Sequence, residues 1–557
     1  MKCQIKNRTM EIDCQSIKSS ALRGPKQPRG YIVVFDAGSS GTRVHIYNFL
    51  PHFSSAATPN LDRCVNDVQT LKQKPGLSAI AEEFSPSAIP EHVSKALTPL
   101  LEFARGFIPE EQWESTPLVL KATAGLRAVE PAKAKRVIHA VANIFRSSGF
   151  MFQTNWASII PGVEEGGLAW VTANYLYGTF DHDGPSTNDQ AGSLGIIEMG
   201  GGSTQVSFRM HDVETFQHLD DDTSRPKRRF MFTDLTGRRH NIYALSYLGF
   251  GQDHAQRRLS NYIDLQVAER NSGGEGSRSA EGSSSGSDSD AIIETDPCYR
   301  TSYTRTTKIS NVNIHGSGNF QACMEKIRTI LFNVTMPDQP PLIPGLQTHK
   351  GYFQPPLTGT MIATENFWYS RRSPDIQPPA DLSLSISDVS QLGERYCGST
   401  SNHLQVTLPG KDETVEFDER NKYCFGLAFQ TVLLDSLNAK DKQLPAISKN
   451  IGGSDLDWAM GAAVVHFSTH EIDLRKLWSK HGWELKIGSG SNGNGNTIKG
   501  WGVSMFERPT SMLFCMLILV SGVYYVLKKM GLSKQLFAKV ARRKRKSFVS
   551  VMASKHV

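Results

Sequence analysis

Two stretches of similar design, about 160 residues apart, constrain the fold more than any other feature of the sequence. In the first, an apolar run at residues 31–35 is followed by Asp36, a Gly/Ser turn and a second strand-like run at residues 42–47. In the second, residues 195–197 precede Glu198, a Gly-Gly-Gly-Ser turn and a strand-like run to Phe208. Each reads as a buried strand, a tight turn and a returning strand. The repetition predicts a duplicated α/β domain whose two copies clasp one ligand from opposite sides of a cleft.

The residues of the first turn suit an anion. Gly38 and Gly41 allow backbone N–H groups to approach a ligand closely. The side chains that add donors for phosphate oxygens are Ser39, Ser40, Thr42 and Arg43. No Gly-Lys-Ser/Thr sequence follows a strand and opens a helix, so the Walker pattern is excluded. A polar hairpin turn without a ligand remains the alternative for this stretch alone.

Acidic and polar residues near the turns suit metal-assisted phosphate hydrolysis. Asp36 and Glu198 end their strands and are candidates for holding a hard cation, through water because magnesium keeps several waters. Ser203 and Gln205 are placed to hold a water, and Glu165, after a Pro-Gly turn, is a candidate general base. The candidates for further phosphate contact, on a strand-to-helix turn, are Thr123 and Arg127. The alternative for Glu165 is an acid that complements the dipole at a helix start.

An uncharged stretch near the end of the chain predicts a membrane anchor. Residues 510–527 carry no Asp, Glu, Lys or Arg and are long enough to span a bilayer of ~30 Å. Residues 528–557 carry ten Lys and Arg and no acid, which leaves about −3 of the +7 net charge for the rest of the chain. A body so close to neutral gives no reason to expect a nucleic-acid-binding domain. A buried core helix is the alternative for residues 510–527.

The charges beside the predicted span indicate its orientation. Positive charge after the span predicts a cytosolic C-terminus and a lumenal or outer catalytic body. Residues 1–30 contain no apolar run of ~7–15 residues, so no N-terminal secretory signal is predicted. A cytosolic tail-anchored protein is the competing topology. The glycosylation sequons at Asn7 and Asn333 carry meaning only if those segments are lumenal.

Four of the eight cysteines have the spacing of two local disulfide loops. The pairs are Cys298 with Cys323 and Cys397 with Cys424, and such bonds need an oxidising compartment. Four buried free thiols are the alternative. No Cys or His spacing typical of a zinc site occurs.

Composition and pattern divide the chain into segments. A polar arm (residues 1–29) precedes a first lobe at 30–155, which residues of about 453–485 complete. The second lobe is residues 156–452 and contains a low-complexity insertion, 271–292, that is predicted to be disordered. A Gly/Asn linker (486–509), the predicted span (510–527) and a basic tail (528–557) follow.

Five stretches, in order, resemble the apyrase-conserved regions of the nucleoside triphosphate diphosphohydrolases. They are residues 36–43, 122–127, 162–166, 200–205 and 457–461, and the resemblance covers roughly residues 30–470. It implies the two-lobed, duplicated RNase H-like fold of actin, Hsp70 and sugar kinases, here with a C-terminal transmembrane helix. Residues 248–258, with the single C-terminal span, are similar to the Golgi-apyrase branch of fungi. The implied activity is hydrolysis of nucleoside tri- and diphosphates, with clearance of GDP and UDP that supports Golgi glycosylation.

The resemblance also implies roles for individual residues. Glu165 would activate the water that Ser203 and Gln205 orient, and Asp36 and Glu198 would anchor hydrated Ca²⁺ or Mg²⁺. The residues that would contact phosphate are Ser39, Ser40, Gly41, Thr42, Arg43, Thr123, Gly201, Gly202 and Ser203, with Arg127 in support. Tyr369 and Phe429 match positions that stack on the nucleobase, with a core role for these aromatic residues as the alternative.

The sequence departs from the family pattern at two positions. Glu198 stands where the family usually has Asp, which keeps the carboxylate but extends its reach by one methylene. Gly202 stands where the family usually has Ala, which loosens the turn. Neither change removes a functional group, so an active enzyme is expected.

Two other functions fit parts of the sequence. A kinase or a chaperone-type ATPase would use similar phosphate hairpins. A non-catalytic membrane regulator would use the basic tail to bind anionic lipid or partners.

Overall fold

The computed structural model describes residues 4–6, 9–11, 30–50, 60–61, 68–180, 192–221, 227–234, 237–272, 295–301, 303–332, 355–370, 386–399, 417–437, 446–451 and 454–480. Outside these residues lie the predicted linker, span and basic tail, both sequons, and most of the predicted arm and insertion. No helix in the described part of the chain is long and apolar enough to cross a membrane. Within the predicted arm, β1 (Gln4–Lys6) pairs antiparallel with β2 (Thr9–Glu11).

The first lobe is organised around one sheet. Its strands are β3 (Gly30–Gly38), β4 (Gly41–Leu50), β5 (Asn60–Leu61), β6 (Gln69–Gln73), β7 (Leu118–Ala122) and β8 (Ala157–Ile159). The strand order is β5-β4-β3-β7-β8, and β6 also pairs with β4. The β3–β4 hairpin closes at Gly38 and Gly41, and β7 runs parallel to β3. Because β8 pairs with β7, this sheet extends past the predicted lobe boundary at residue 155.

The second lobe repeats this arrangement. Its main strands are β9 (Leu194–Met199), β10 (Ser203–Arg209), β11 (Arg229–Thr233) and β12 (Arg239–Leu248). Next in the chain come β13 (Thr295–Asp296), β14 (Thr304–Thr306) and β15 (Asn313–Gly316), which form a small separate sheet. The main sheet is completed by β16 (Thr360–Glu365) and β17 (Ala446–Ile447), giving the order β11-β12-β10-β9-β16-β17. Each lobe therefore contains a hairpin and a third strand that runs parallel to the first strand of that hairpin, as a duplicated domain requires.

The helices follow the apolar patterns of the sequence. Before the second sheet they are α1 (Leu77–Glu83), α2 (Ile89–Phe107), α3 (Ala124–Arg127), α4 (Pro131–Arg146) and α5 (Gly162–Tyr177). Later in the chain come α6 (Val213–His218), α7 (Gln252–Ser272), α8 (Phe320–Lys326), α9 (Asn366–Tyr369), α10 (Ile386–Gly398), α11 (Phe417–Ser436) and α12 (Trp458–Lys480). A π-helix, Ile327–Phe332, continues α8. Two short strands, β18 (Asn450–Ile451) and β19 (Ser454–Asp455), precede α12.

Helices α5 and α12 pack together between the two sheets. One apolar cluster joins them to β3 through Ile32 and to β9 through Ile196. The helices approach so closely that a Cβ on Gly461 would lie 2.0 Å from the carbonyl oxygen of Leu168. Thr172 ties them further, since its hydroxyl donates to Asp457 O at 2.7 Å and accepts from Gly461 N at 2.8 Å. The strand ends of both lobes are therefore held beside one another.

The outer core of the second lobe contains two disulfides. Cys298 is bonded to Cys323, and Cys397 is bonded to Cys424. All four residues are buried in the apolar cluster that covers the face of the sheet opposite α5. They link β13–β15 and the helices α8, α10 and α11 into one packed layer.

Candidate active site

The two glycine-containing turns meet in the fold. A Cβ built on Gly201 would lie 3.2 Å from the hydroxyl oxygen of Ser39 in the opposite turn. Both turns line a cavity of about 100 Å³ between the lobes. The predicted site residues that line it are Asp36, Ser39, Ser40, Gly41, Arg43, Thr123, Glu165, Glu198, Gly201, Gly202, Ser203 and Gln205. The structure thus brings together in one cavity residues that are up to 169 positions apart in the chain.

The second turn is shaped by the loop that enters α7. The carbonyl oxygens of Gly200 and Gly202 accept hydrogen bonds from Gln252 N at 3.0 Å and Gly249 N at 2.9 Å. A Cβ on Gly251 would lie 2.4 Å from backbone atoms of the turn, so this loop can pack there only without a side chain. Residues 249–252 therefore have a structural role, which is to fix the turn that carries Ser203.

Glu165 lies in the first turn of α5 and is only 6% exposed. Its Oε2 is 2.8 Å from Nη1 of Arg127, yet this oxygen has no hydrogen-bond partner within the described residues. Arg127 does not line the cavity, and it also donates to Ile160 O at 3.0 Å and contacts Ser246 Oγ at 3.4 Å. Arg127 therefore orients the Glu165 carboxylate, which lines the cavity.

Ser203 and Gln205 form a polar pair on β10 opposite Glu165. The amide nitrogen of Gln205 donates to Ser203 Oγ at 2.6 Å and to Ser246 Oγ at 3.2 Å. Those donations turn the carbonyl oxygen of the Gln205 side chain away from Ser203. A water between this pair and Glu165 would find both hydrogen-bonding groups and a base.

Asp36 and Glu198 occupy matching places in the two repeats. Each lies one or two residues before the end of the first strand of its hairpin. Each has a buried oxygen, Oδ1 of Asp36 and Oε2 of Glu198, with no hydrogen-bond partner among the described residues. Burial raises the pKa of both carboxyls well above the usual values, with Asp457 adding to the effect at Asp36 and Glu165 at Glu198. Buried, unpaired carboxylate oxygens of this kind are costly unless a cation or its water shell satisfies them. Within the described ranges no group of three or more His, Cys, Asp or Glu side chains is arranged to hold a metal ion.

Two predicted contacts are corrected by the structure. Thr42 is fully buried and does not line the cavity, because its side chain alternates with those of its neighbours Gly41 and Arg43 along β4. Phe429 is also fully buried and packs against Phe425 and Phe332 in the core of the second lobe, so no face of its ring is open to a nucleobase.

Tyr369 lies at an adjoining cavity rather than in the main one. That cavity, of about 350 Å³, shares Arg43 and Asp457 with the site described above. Tyr369 is partly buried, and burial together with Glu365 raises the pKa of its hydroxyl. The Tyr369 side chain therefore lines the space that adjoins the main cavity at Arg43 and Asp457.

The structure adds three charged cavity residues that sequence reasoning did not identify as site residues. Lys72 donates from Nζ to Ser40 Oγ at 2.9 Å, and burial lowers the pKa of its ammonium group. Asp457 lies 3.7 Å from Arg43 Nη1 and 3.1 Å from His45 Nε2, and it accepts from Ala459 N at 2.7 Å. The third is Glu365, at the end of β16.

Only one of these three had a signal in the sequence. Asp457 belongs to the last of the five recognised stretches, whereas Lys72 and Glu365 lie outside all of them. Burial, with Asp457 nearby, raises the pKa of Glu365 to about 7, and Arg43 opposes that shift.

Comparison with known proteins gives a consistent result. A sequence profile of the GDA1/CD39 (nucleoside phosphatase) family matches residues 24–480. Probable apyrase 6 of Arabidopsis thaliana is 31% identical over 478 residues, which cover 82% of this chain and 75% of the relative. Ectonucleoside triphosphate diphosphohydrolase 6 of Homo sapiens is 36% identical over 239 residues, 43% of this chain and 44% of that protein. Among solved structures, nucleoside triphosphate hydrolases from Neospora caninum match with a TM-score of 0.56 and 16% identity, over 84% of this chain and 97% of theirs.

Proposed function

Because the chain belongs to the GDA1/CD39 (nucleoside phosphatase) family, we propose that it hydrolyses nucleoside tri- and diphosphates with a water activated by Glu165. Hydrolase activity on nucleotides follows from the family and from its apyrase and ectonucleoside triphosphate diphosphohydrolase relatives. The observation that supports this mechanism is the meeting of both turns with Glu165, Ser203 and Gln205 in one cavity. Nothing in the family relationship favours the kinase or the chaperone-type ATPase.

The phosphate chain fits between the two turns. Ser39, Ser40 and Thr123 offer hydroxyl groups at the cavity surface, and the turns offer backbone N–H groups. Lys72 and Arg43 supply positive charge at the same wall. These groups would hold the terminal phosphoryl group so that its phosphorus faces the water site, and positioning of this kind supplies much of the rate in phosphoryl transfer.

The hydrolytic step uses three side chains. The carbonyl oxygen of Gln205 and the hydroxyl of Ser203 orient the water, and the Glu165 carboxylate accepts its proton. The water oxygen bonds to the terminal phosphorus as the bond from that phosphorus to the bridging oxygen breaks. The products are inorganic phosphate and the shortened nucleotide.

The family chemistry implies a divalent cation, Ca²⁺ or Mg²⁺, and the residues present fit one. Asp36 and Glu198 would hold it through water, since each has a buried oxygen that lacks a partner in the described structure. When bound, the cation would neutralise charge on the phosphate oxygens.

The disulfides support a cellular setting for the proposal. Two disulfides in the second lobe are expected of a protein in an oxidising lumen. We therefore place the catalytic body in the lumen of the Golgi or another endomembrane compartment, anchored by residues 510–527 with a basic cytosolic tail. There it would remove the GDP and UDP that glycosyltransferases release. An endoglycosidase-sensitive glycan on Asn333 would support this orientation, and an unmodified Asn333 in protein from the native host would favour the cytosolic alternative.

The experiment that tests the reaction compares two neighbouring glutamates. Phosphate release from GDP, UDP and ATP is measured for wild type, Glu165→Gln and Glu164→Gln. Loss of the general base should lower kcat by about 10²–10⁴-fold. Glu164 does not line the cavity, and its one ion pair among the described residues, with Lys121, spans 3.9 Å, so Glu164→Gln should retain wild-type turnover. Unchanged turnover in Glu165→Gln would remove Glu165 as the base.

A further inference from the structure

The cavity contains a carboxylate that the proposed reaction does not use. Two of the carboxylates that line it already have charged partners, Glu165 with Arg127 and Asp457 with Arg43. Three others have no ion pair with any described residue: Asp36, Glu198 and Glu365. The first two have the cation role proposed above, and the third has none so far.

The repeat of the fold places Glu365 at the same sheet edge as Glu198. Strand β16 runs parallel to β9, with Thr364 opposite Glu198 and Glu365 opposite Met199. The carboxyl ends of parallel strands meet at one edge, so Glu365 ends its strand beside the second turn. In the first lobe the equivalent register position, opposite Ala37 on β3, is held by Ala122. A carboxylate at this position is therefore specific to one copy and is no requirement of the repeated fold.

The backbone at Glu365 supports a functional reason for the side chain. Glu365 has φ 60° and ψ −119°, a conformation that favours glycine. The next residue fixes this bend, since Asn366 Nδ2 donates to Met199 O at 3.0 Å. Strand alternation alone would direct Glu365 to the face opposite Thr364, yet Glu365 lines the cavity that Glu198 lines. The strained backbone conformation of Glu365 is thus the conformation in which its carboxylate lines the cavity.

The charge balance of the cavity points to a cation as the group that Glu365 serves. Five carboxylates line it against two cationic side chains, Arg43 and Lys72. A polyphosphate entering such a cavity would be repelled unless positive charge accompanied it. Glu198 is 5% exposed and has an oxygen without a partner in the described part of the chain. Its buried carboxylate therefore lacks a counter-ion among the described residues.

We propose that Glu365 is a third carboxylate that, with Asp36 and Glu198, holds the divalent cation through its water shell and sets the cation affinity of the site. None of the three needs to ligate the ion directly, which agrees with the absence of a three-residue ligand group among the described residues. This inference deepens the proposed function and rests on it for the nature of the ligand. Glu365 acts on the cation and its waters and takes no proton from the attacking water.

The test measures binding of Mn²⁺ directly, so that it does not depend on turnover. Full-length protein is stripped of metal with EDTA, dialysed, and titrated with Mn²⁺ while the electron paramagnetic resonance signal of the free ion is recorded. The titration is repeated with a non-hydrolysable nucleotide analogue. The variants are Glu365→Gln, which removes the charge, Glu365→Gly, which also relieves the backbone, and the control Glu164→Gln.

We expect both Glu365 variants to bind Mn²⁺ about 10–100-fold more weakly than wild type. The control should match wild type, and Glu365→Gly should melt at a higher temperature than Glu365→Gln because glycine tolerates the observed φ. Wild-type Mn²⁺ affinity in both Glu365 variants would overturn the proposal, and so would the absence of Mn²⁺ binding to wild type in both titrations. A Glu365→Gln protein that melts earlier with unchanged Mn²⁺ affinity would show a purely structural role.

The result is separable from the outcome for Glu165. If Glu165→Gln keeps full turnover while the Glu365 variants lose Mn²⁺, the assigned base is wrong and the cation site stands. If Glu165→Gln is inactive and the Glu365 variants bind Mn²⁺ normally, the reaction stands and the role of Glu365 does not.

Discussion

The ion pair between Arg127 and Glu165 allows a sharp test of how the proposed base is held. Its atoms lie 2.8 Å apart, and the side chains are 15% and 8% exposed. The perturbation is a double-mutant cycle that consists of Arg127→Ala, Glu165→Gln and the double variant. Each single change removes one charge of the pair, and the double variant removes both.

The structure sets the expected magnitudes. Arg127→Ala leaves the Glu165 carboxylate buried without its counter-charge, which costs about 3–5 kcal/mol in a fully buried pair. It also removes the hydrogen bond to Ile160 O, at about 1 kcal/mol. Because this pair borders an open cavity, we expect a total loss of about 2–4 kcal/mol. Glu165→Gln should cost less, about 1–2 kcal/mol, since Arg127 keeps its contact with Ile160.

The double variant should be more stable than the sum of the single effects predicts. With no lone charge left in the wall of the cavity, the coupling energy should be about 1–3 kcal/mol. Urea unfolding followed by tryptophan fluorescence measures it for all four proteins. A second cycle, Lys121→Ala with Glu164→Gln, is the matched control, because that pair spans 3.9 Å and is 19% and 35% exposed. Its coupling should be about 0–1 kcal/mol.

One result would refute this reasoning. If the two single losses at Arg127 and Glu165 add to within ~0.5 kcal/mol of the double loss, the pair is not coupled. Arg127 would then not be the residue that orients Glu165, and the position of the carboxylate would depend on α5 alone.

Three further predictions follow from the packing and charge of the described residues. In Gly251→Ala, a Cβ 2.4 Å from the backbone of the second turn should displace Ser203, which should lower stability by about 1–3 kcal/mol and kcat by at least ~10-fold. The control is Gly106→Ala, whose Cβ meets nothing within 4 Å and which should stabilise α2 by about 0.5–1 kcal/mol. Equal turnover in both variants would contradict this prediction. Burial raises the pKa of Glu365 from 4.5 to about 7, so between these pH values the folded state keeps a proton that the unfolded state has lost. As the pH of a cation-free buffer rises from 4.5 to 7, the free energy of unfolding should therefore fall by up to about 3 kcal/mol more in wild type than in Glu365→Gln. Parallel profiles of the urea midpoint against pH for the two proteins would show that the pKa of this carboxyl is not raised. Replacing both Cys298 and Cys323 by Ser opens a loop of 25 residues and should lower the free energy of unfolding by about 2–4 kcal/mol. Urea unfolding of the variant and of the unreduced wild type measures the difference. An unchanged urea midpoint would mean that this disulfide contributes little to stability.

The sequence alone determined the repeated core of the site. A run of apolar residues, an acid and a glycine-containing turn specify a buried strand, its end and a tight return within about fifteen residues. The positions of Asp36, Glu198, Ser203 and Gln205 in their hairpins follow from that local pattern. Successive side chains of a strand point to opposite faces, and this rule could also be applied to the sequence. For β4 it puts Thr42 and Arg43 on opposite faces, as the structure does.

Only the tertiary structure decided which distant residues join the two turns. Lys72 and Glu365 come from segments with no phosphate-binding pattern, and they reach the cavity because β6 pairs with β4 and β16 pairs with β9. Phe429 belongs to an apolar helix whose faces cannot be assigned to core or ligand until its neighbours are known. Local pattern determines which strands and turns form, because those depend on residues close in the chain. The cavity itself depends on how α5 and α12 hold the two sheets together, and that packing joins residues from across the described chain.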